Sequence, residues 1–178
     1  IKWIKFQNLR KKKFEVDIII NCIVTHENSK KNKLIDYINS NMNPKNLPIF
    51  AHGTSLGTGV VTYLASKRQL KGIILHAPYT SMKDVADHLF KSGGRFVKEY
   101  TFMAKDWAPL VTEPALSLHA RIDEIIPLRI GEEQRRNFTN VEFIDSIILE
   151  KGNHMGIYNN SYYWKSISDF IKRVLFTN

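Results

Sequence analysis

Apolar and polar positions along this chain fall into short buried runs separated by segments with helical spacing. Ile1 to Phe6 alternates apolar with basic residues and reads as a short strand. Phe14 to Val24 is rich in β-formers (Val16, Ile18, Ile19, Ile20, Ile23, Val24) and predicts a buried strand. Leu34, Ile35, Tyr37 and Ile38 share one helix face, and Asn43-Pro44-Lys45-Asn46 ends that helix. A strand at Ile49 to Ala51 follows, then a helical segment at Val60 to Ser66 and a buried strand at Gly72 to His76. Met82 to Trp107 has helical stretches interrupted at Gly93-Gly94. Ala115 to Leu118 predicts a strand, Gly131 to Phe138 a charged, exposed helix, and Val141 to Leu149 another strand. Tyr162 to Phe176 predicts an amphipathic helix with Trp164, Ile167, Phe170, Ile171 and Leu175 on one side. Strand and helix alternate throughout. That order predicts an α/β fold: a mostly parallel sheet with helices on both faces. The pattern carries no repeat, linker or low-complexity segment.

Composition narrows the picture. A chain of 178 residues predicts one domain, residues 1–178, with a real core. It is short for an α/β enzyme, many of which exceed roughly 200 residues. The net charge is +9, from 26 basic against 17 acidic residues. The excess sits largely in Lys11-Lys12-Lys13 and in Lys30, Lys31 and Lys33, which read first as a solvated surface. Their functional reading is attraction of anionic lipid headgroups, hence peripheral membrane contact. No aromatic stacking platform is interleaved with them, which argues against nucleic acid. The single Cys22 excludes an internal disulfide framework and reads as a buried, inert thiol. The chain holds no run of about eighteen apolar residues and no signal-peptide pattern. The expected setting is cytoplasmic or peripheral to a membrane.

The chemistry concentrates at Gly53-Thr54-Ser55-Leu56-Gly57, between the strand at Ile49 and the helical segment after it. Strand, tight turn and helix are the context of a nucleophile elbow. Such a turn strains the backbone of Ser55, and flanking glycines relieve collisions with the neighbouring strand and helix. The Ser55 hydroxyl then stands at a helix start, where the Leu56 amide can face a developing oxyanion. An acid and then a histidine should follow in the chain. Asp123 stands just after the apolar run at Leu118, and His154 just after the run ending at Leu149. Taken singly, these are a turn serine, a capping aspartate and a loop histidine; together and in order they make a catalytic set. Glu124 neighbours Asp123 and is the rival acid. His52 reads as packing beside the turn, and His76 and His119 as hydrogen-bonded structural histidines. His26 and His88 carry no motif. No histidine pair has metal-ligand spacing with acidic partners, so no catalytic metal and no cofactor are expected.

At these residues the chain resembles the α/β-hydrolase-domain serine lipases, especially the group of monoacylglycerol and lysophosphatidylserine lipases. Ser55-Leu56-Gly57-Thr58-Gly59-Val60 is similar to that group's elbow. Ile73 to Ser81 is similar to its next strand and loop, and Leu118-His119-Ala120 through Asp123 and Pro127 to its acid motif. The resemblance runs from roughly Leu34 to the C-terminus. It implies an α/β-hydrolase fold with Ser55 as nucleophile, Asp123 as acid and His154 as base. It implies a small-molecule acyl ester or lipid substrate, most concretely an acylglycerol or lysophospholipid. Thioester cleavage on acylated protein and peptide cleavage use the same triad, and a non-catalytic remnant is the other class. Residues 82–110 read as a small cap or as a crossover helix pair. The chain departs from the family at its N-terminal side. The second oxyanion donor is expected from a loop after an earlier strand, near Thr25 to Asn28, where no glycine stands. That departure leads us to expect a domain lacking its first strands.

Overall fold

The computed structural model describes residues 18–22, 40, 47–98 and 101–176, the first of these segments as backbone alone. Among the described residues, five strands form one sheet in chain order: β1 Ile18–Cys22, β2 Ile49–Thr54, β3 Gly72–His76, β4 Ala115–Ala120 and β5 Ile144–Leu149. Every neighbouring pair is parallel. Parallel neighbours need crossover connections, and among the described residues helices supply those from β2 onward. Helix α1, Leu56–Ala65, joins β2 to β3. Helices α2, Met82–Phe90, and α3, Ala104–Trp107, lie between β3 and β4. Helix α4, Leu128–Arg136, precedes β5, and α5, Ser161–Phe176, follows it. Because all strands run one way, the segments after β2, β3, β4 and β5 leave from one edge of the sheet.

The core follows from the two-residue period of the strands. Ala51, Ile73, Leu75 and Ala115 pack on Val61 and Leu64 of α1. Phe50, Ile74, Leu116 and Leu118 point the other way, onto Tyr163, Ile167 and Phe170 of α5. Burying a Phe-sized side chain is worth about 1.5–3 kcal/mol, so both faces contribute substantially. The fold class expected from the sequence is met: a parallel sheet with helices on both faces.

Several local expectations are corrected. Helix α5 buries Tyr163, Ser166, Ile167, Phe170, Ile171 and Val174. Trp164 is 45% exposed and Leu175 only half-buried. Each lies one residue off the stripe that meets the sheet. Helix α4 starts at Leu128, earlier than expected, and is not wholly exposed: Ile130, Gly131 and Gln134 are buried. Strand β4 runs on to Ala120, and β5 starts only at Ile144. The break after α2 falls at Lys91 and Ser92, both at positive φ; Gly93-Gly94 instead open a 3-10 turn, Gly93–Phe96. In this excursion, left open above between a cap and a crossover pair, Val85 and Ala86 are buried and Phe90 and Phe96 face solvent. The expected strand at Ile1, the helix near Leu34, both lysine clusters and the Cys22 side chain lie outside the described residues.

The base of the excursion is tied where it leaves and re-enters the fold. Met82 N–H donates to Thr101 O at 2.8 Å, and Lys105 N–H to Thr80 O at 2.9 Å. Asp84 Oδ2 accepts from the hydroxyls of Thr80 at 2.6 Å and Ser81 at 2.7 Å, and from Lys105 Nζ at 3.5 Å. Val85 joins Leu56, Ile126 and Ile130 in one apolar cluster, which seats α2 beside the start of α1 and the loop after β4.

Candidate active site

Strand β2 ends at Thr54 and α1 begins at Leu56, leaving Ser55 alone to reverse the chain. Ser55 has φ 51° and ψ −121°, a conformation L-residues rarely adopt. Its backbone is held on both sides. Ser55 N–H donates to His76 O at 2.8 Å, and Ser55 O accepts from Thr58 N–H at 2.9 Å and the Thr58 hydroxyl at 2.7 Å. Gly53 is required here, since a Cβ would stand 2.5 Å from Gly57 O. A serine at a helix N-cap normally caps the first turn with its side chain. Ser55 makes no such bond, so its hydroxyl is withheld from local structure. Leu56 is the first residue of α1, where the helix offers its amide no carbonyl partner.

Asp123 follows β4 at the same edge, its side chain wholly buried. Oδ1 accepts the amides of Ile125 at 3.0 Å and Ile126 at 2.7 Å. His154 Nδ1–H reaches Oδ2 at 2.8 Å and Oδ1 at 3.0 Å. Burial alone pushes the Asp123 carboxyl up, but the hydrogen bond from His154 and the two amides hold it below the ordinary carboxylate range. An anionic Asp123 fixes the proton of His154 on Nδ1 and leaves Nε2 as an acceptor.

The structure thus brings Asp123 and His154 together. It places Ser55 on their edge, and none of the hydrogen bonds described joins its hydroxyl to His154. Glu124, the rival acid, does something else: its Oε2 accepts the backbone amide of His154 at 3.1 Å. The segment near Thr25 expected to hold a second oxyanion donor lies outside the described residues.

Beneath the edge lie three more buried histidines. His52 Nε2 shares a 3.1 Å hydrogen bond with the Tyr163 hydroxyl, and burial lowers its pKa to about 4. His119 Nε2–H donates to Ile126 O at 2.8 Å and stands 3.6 Å from Asp123 Oδ2, bracing the acid loop from below. Gly131 makes that possible, for a Cβ there would stand 2.3 Å from His119 Nδ1. His76 corrects an expectation. It is fully buried, yet neither ring nitrogen has a hydrogen-bond partner. It is held instead by rings, with Tyr158 at 4.9 Å, Tyr163 at 5.4 Å and His154 at 6.1 Å between centroids. Burial, then the neighbouring histidines, lower its pKa to about 3. The sequence reading missed Tyr158. Its hydroxyl donates to Thr54 Oγ1 at 2.8 Å, tying the histidine loop to the residue before Ser55. A tyrosine four residues after the base was the available signal. Among the described residues no cluster of three or more His, Cys, Asp or Glu could hold a metal. No described helix is long and apolar enough to cross a membrane.

Known proteins agree with this architecture. No family model matches the chain. The lysophosphatidylserine lipase ABHD12 of Danio rerio is 25% identical over 166 residues, covering 78% of this chain and 43% of the relative. The chain therefore spans less than half the length of that curated relative. Among solved structures, the Pyrococcus furiosus esterase PF2001 superposes with a TM-score of 0.66 at 14% identity, covering 82% of this chain and 62% of that one. The Pyrococcus horikoshii acylaminoacyl peptidase gives 0.65 at 17%, covering 80% and 26%. The acetyl xylan esterase of Paenibacillus sp. R4 also gives 0.65, at 13%, covering 80% and 50%. Fold and sequence likeness together bear out the resemblance read from the elbow and acid motifs: the chain has the α/β-hydrolase fold.

Proposed function

We propose that the chain carries the catalytic residues of a serine hydrolase that cleaves carboxylic esters. One observation carries the reading: Ser55 is held at positive φ with its hydroxyl uncommitted, on the edge where Asp123 grips His154. His154 Nε2 takes the Ser55 proton as Oγ attacks the acyl carbonyl carbon. Asp123 stabilises the imidazolium, and the Leu56 amide faces the oxyanion. The imidazolium then protonates the departing alkoxide and leaves an acyl-Ser55 ester. Water, deprotonated by His154, releases the acid and restores the serine. Likeness to a lysophosphatidylserine lipase of Danio rerio favours lysophospholipid esters over thioesters and peptides. The test is labelling with a fluorophosphonate probe, followed by turnover of a panel of esters and thioesters. Labelling at Ser55, lost in Ser55→Ala, is expected; silence of a folded protein would leave the non-catalytic remnant.

A further inference from the structure

We propose that the excursion between β3 and β4 docks this protein on anionic lipid bilayers, with Phe90 and Phe96 as the inserting side chains. Both are large and apolar, yet they are 72% and 71% exposed. An ordinary crossover helix turns such residues onto the sheet. Here the backbone holds them out. Lys91 and Ser92 at positive φ end α2 abruptly, and the buried Gly93 and Gly94 press the following turn back on α2. The Gly94 amide donates to Asp87 Oδ1 at 2.9 Å and fixes that fold-back. The two phenylalanines are thus presented outward on a folded-back knuckle.

Charge complementarity selects the occupant. Lys91, Arg95 and Lys98 are all exposed and alternate with the phenylalanines over nine positions. Apolar side chains flanked by cations are what an anionic bilayer binds, rings in the acyl boundary and cations at the headgroups. A second copy of the chain suits the surface poorly, because a two-fold contact would set these cations against their own counterparts. Single-stranded nucleic acid suits it poorly too: stacking needs open ring faces, and the Arg95 guanidinium lies 4.8 Å over the Phe96 ring. The lysine clusters near the N-terminus first suggested membrane contact; this surface lies elsewhere in the sequence. Its position links to the site. The excursion is tied at its base beside Leu56, and the loops at that edge also expose Ile122 and Met155.

Binding is read without turnover, so the proposal does not depend on ester cleavage. The protein is sedimented with phosphatidylcholine vesicles, with and without phosphatidylserine, at low and high salt. Binding is expected only with phosphatidylserine and should weaken as salt rises. Phe90→Ser/Phe96→Ser should lower partitioning about tenfold or more. Lys91→Glu/Arg95→Glu/Lys98→Glu should lower it by at least as much. Both sets are on the surface, and unchanged circular dichroism and fluorophosphonate labelling would show that the fold persists. The proposal is overturned by absence of binding, by binding that neither set weakens, or by equal binding to pure phosphatidylcholine. Self-association without vesicle binding, abolished by the phenylalanine variants, would assign the surface to a second copy and also overturn it.

Discussion

The two edges of the sheet are built from the same strands and differ in every property that matters for chemistry. At the amino edge, a cleft of about 420 Å³ opens between the segments entering β3, β4 and β5. Its polar groups are satisfied. Glu113 accepts the Leu70 amide at 3.1 Å and the Thr112 amide at 3.2 Å, and Arg173 pairs with Asp145 at 2.7 Å while lying over Phe143. At the carboxyl edge, Ser55 and Ala77 close adjacent strands at positive φ. Buried nitrogens of His76 and His119 stand without partners just beneath. Every non-glycine residue described at positive φ lies at this edge or in the excursion rooted there. A cleft of that size would ordinarily be taken as a ligand site. Backbone strain points to the opposite edge, because it persists only where the surrounding structure imposes it.

The sharpest test of that difference is the acid. Asp123→Asn should lower kcat for a short p-nitrophenyl ester by on the order of 10³–10⁴, since an amide there holds His154 in the wrong tautomer. Glu124→Gln removes charge from the acceptor of the His154 amide and should cost about tenfold or less. Steady-state kinetics of the two variants ranks them. The reverse order would hand the acid's role to Glu124.

The second test is acid stability. The folded pKa values of His52, about 4, and His76, about 3, lie below the ordinary 6.5, and that of His119 is lowered as well. Below pH 6.5 the unfolded chain therefore binds protons that the folded chain refuses. Stability must fall as pH drops from 6.5 towards 4 and 3. Asp123 acts in the same direction at lower pH: its folded pKa is depressed, so the stability it contributes is lost as pH falls through that value. His52 alone should cost roughly 3 kcal/mol by pH 4. Urea midpoints against pH should show this decline, and His76→Leu should flatten it. A flat profile in the parent protein would mean that the buried histidines beneath the carboxyl edge exert no such pull.

The sequence made the framework readable because the strands are buried on both sides and announce themselves as apolar runs. Gly72 to His76 was bounded to the residue. Ser55, Asp123 and His154 were visible because each follows such a run and parallel strands deliver them to one edge. The bracing was not visible. Glu124 and Tyr158 act through contacts across the fold, and the lone ring of His76 depends on which neighbours fill its surroundings. Residues 82–110 read equally as a cap or as a crossover helix pair, and the outward turn of Phe90 and Phe96 was not visible, because periodicity shows that residues share a face, not which way that face turns. That orientation is set at Lys91 and Ser92, two residues whose side chains give no hint of positive φ.

A third test measures the strain itself. Ser55→Gly keeps the turn but removes the Cβ that makes φ 51° costly. Relief of about 1–3 kcal/mol is offset by roughly 0.5–1 kcal/mol from the freer unfolded glycine. The variant should lose ester turnover and fluorophosphonate labelling while gaining about 1 kcal/mol in stability. A destabilised Ser55→Gly would show that the serine side chain supports the fold, contrary to its uncommitted hydroxyl.

The smallest effect belongs at the amino edge. Glu113→Ala leaves the amides of Leu70 and Thr112 without their carboxylate. Both lie beside an open cleft, where water can replace the lost acceptor, so the expected cost is only about 1 kcal/mol. The change lies a full strand length from Ser55, and β3 and β4 connect the two edges through buried side chains that it leaves in place. Thermal unfolding should shift by a few degrees, and kcat and KM for the short ester should not move. A large loss of turnover with little loss of stability would put function at the amino cleft and dissolve the contrast between the edges.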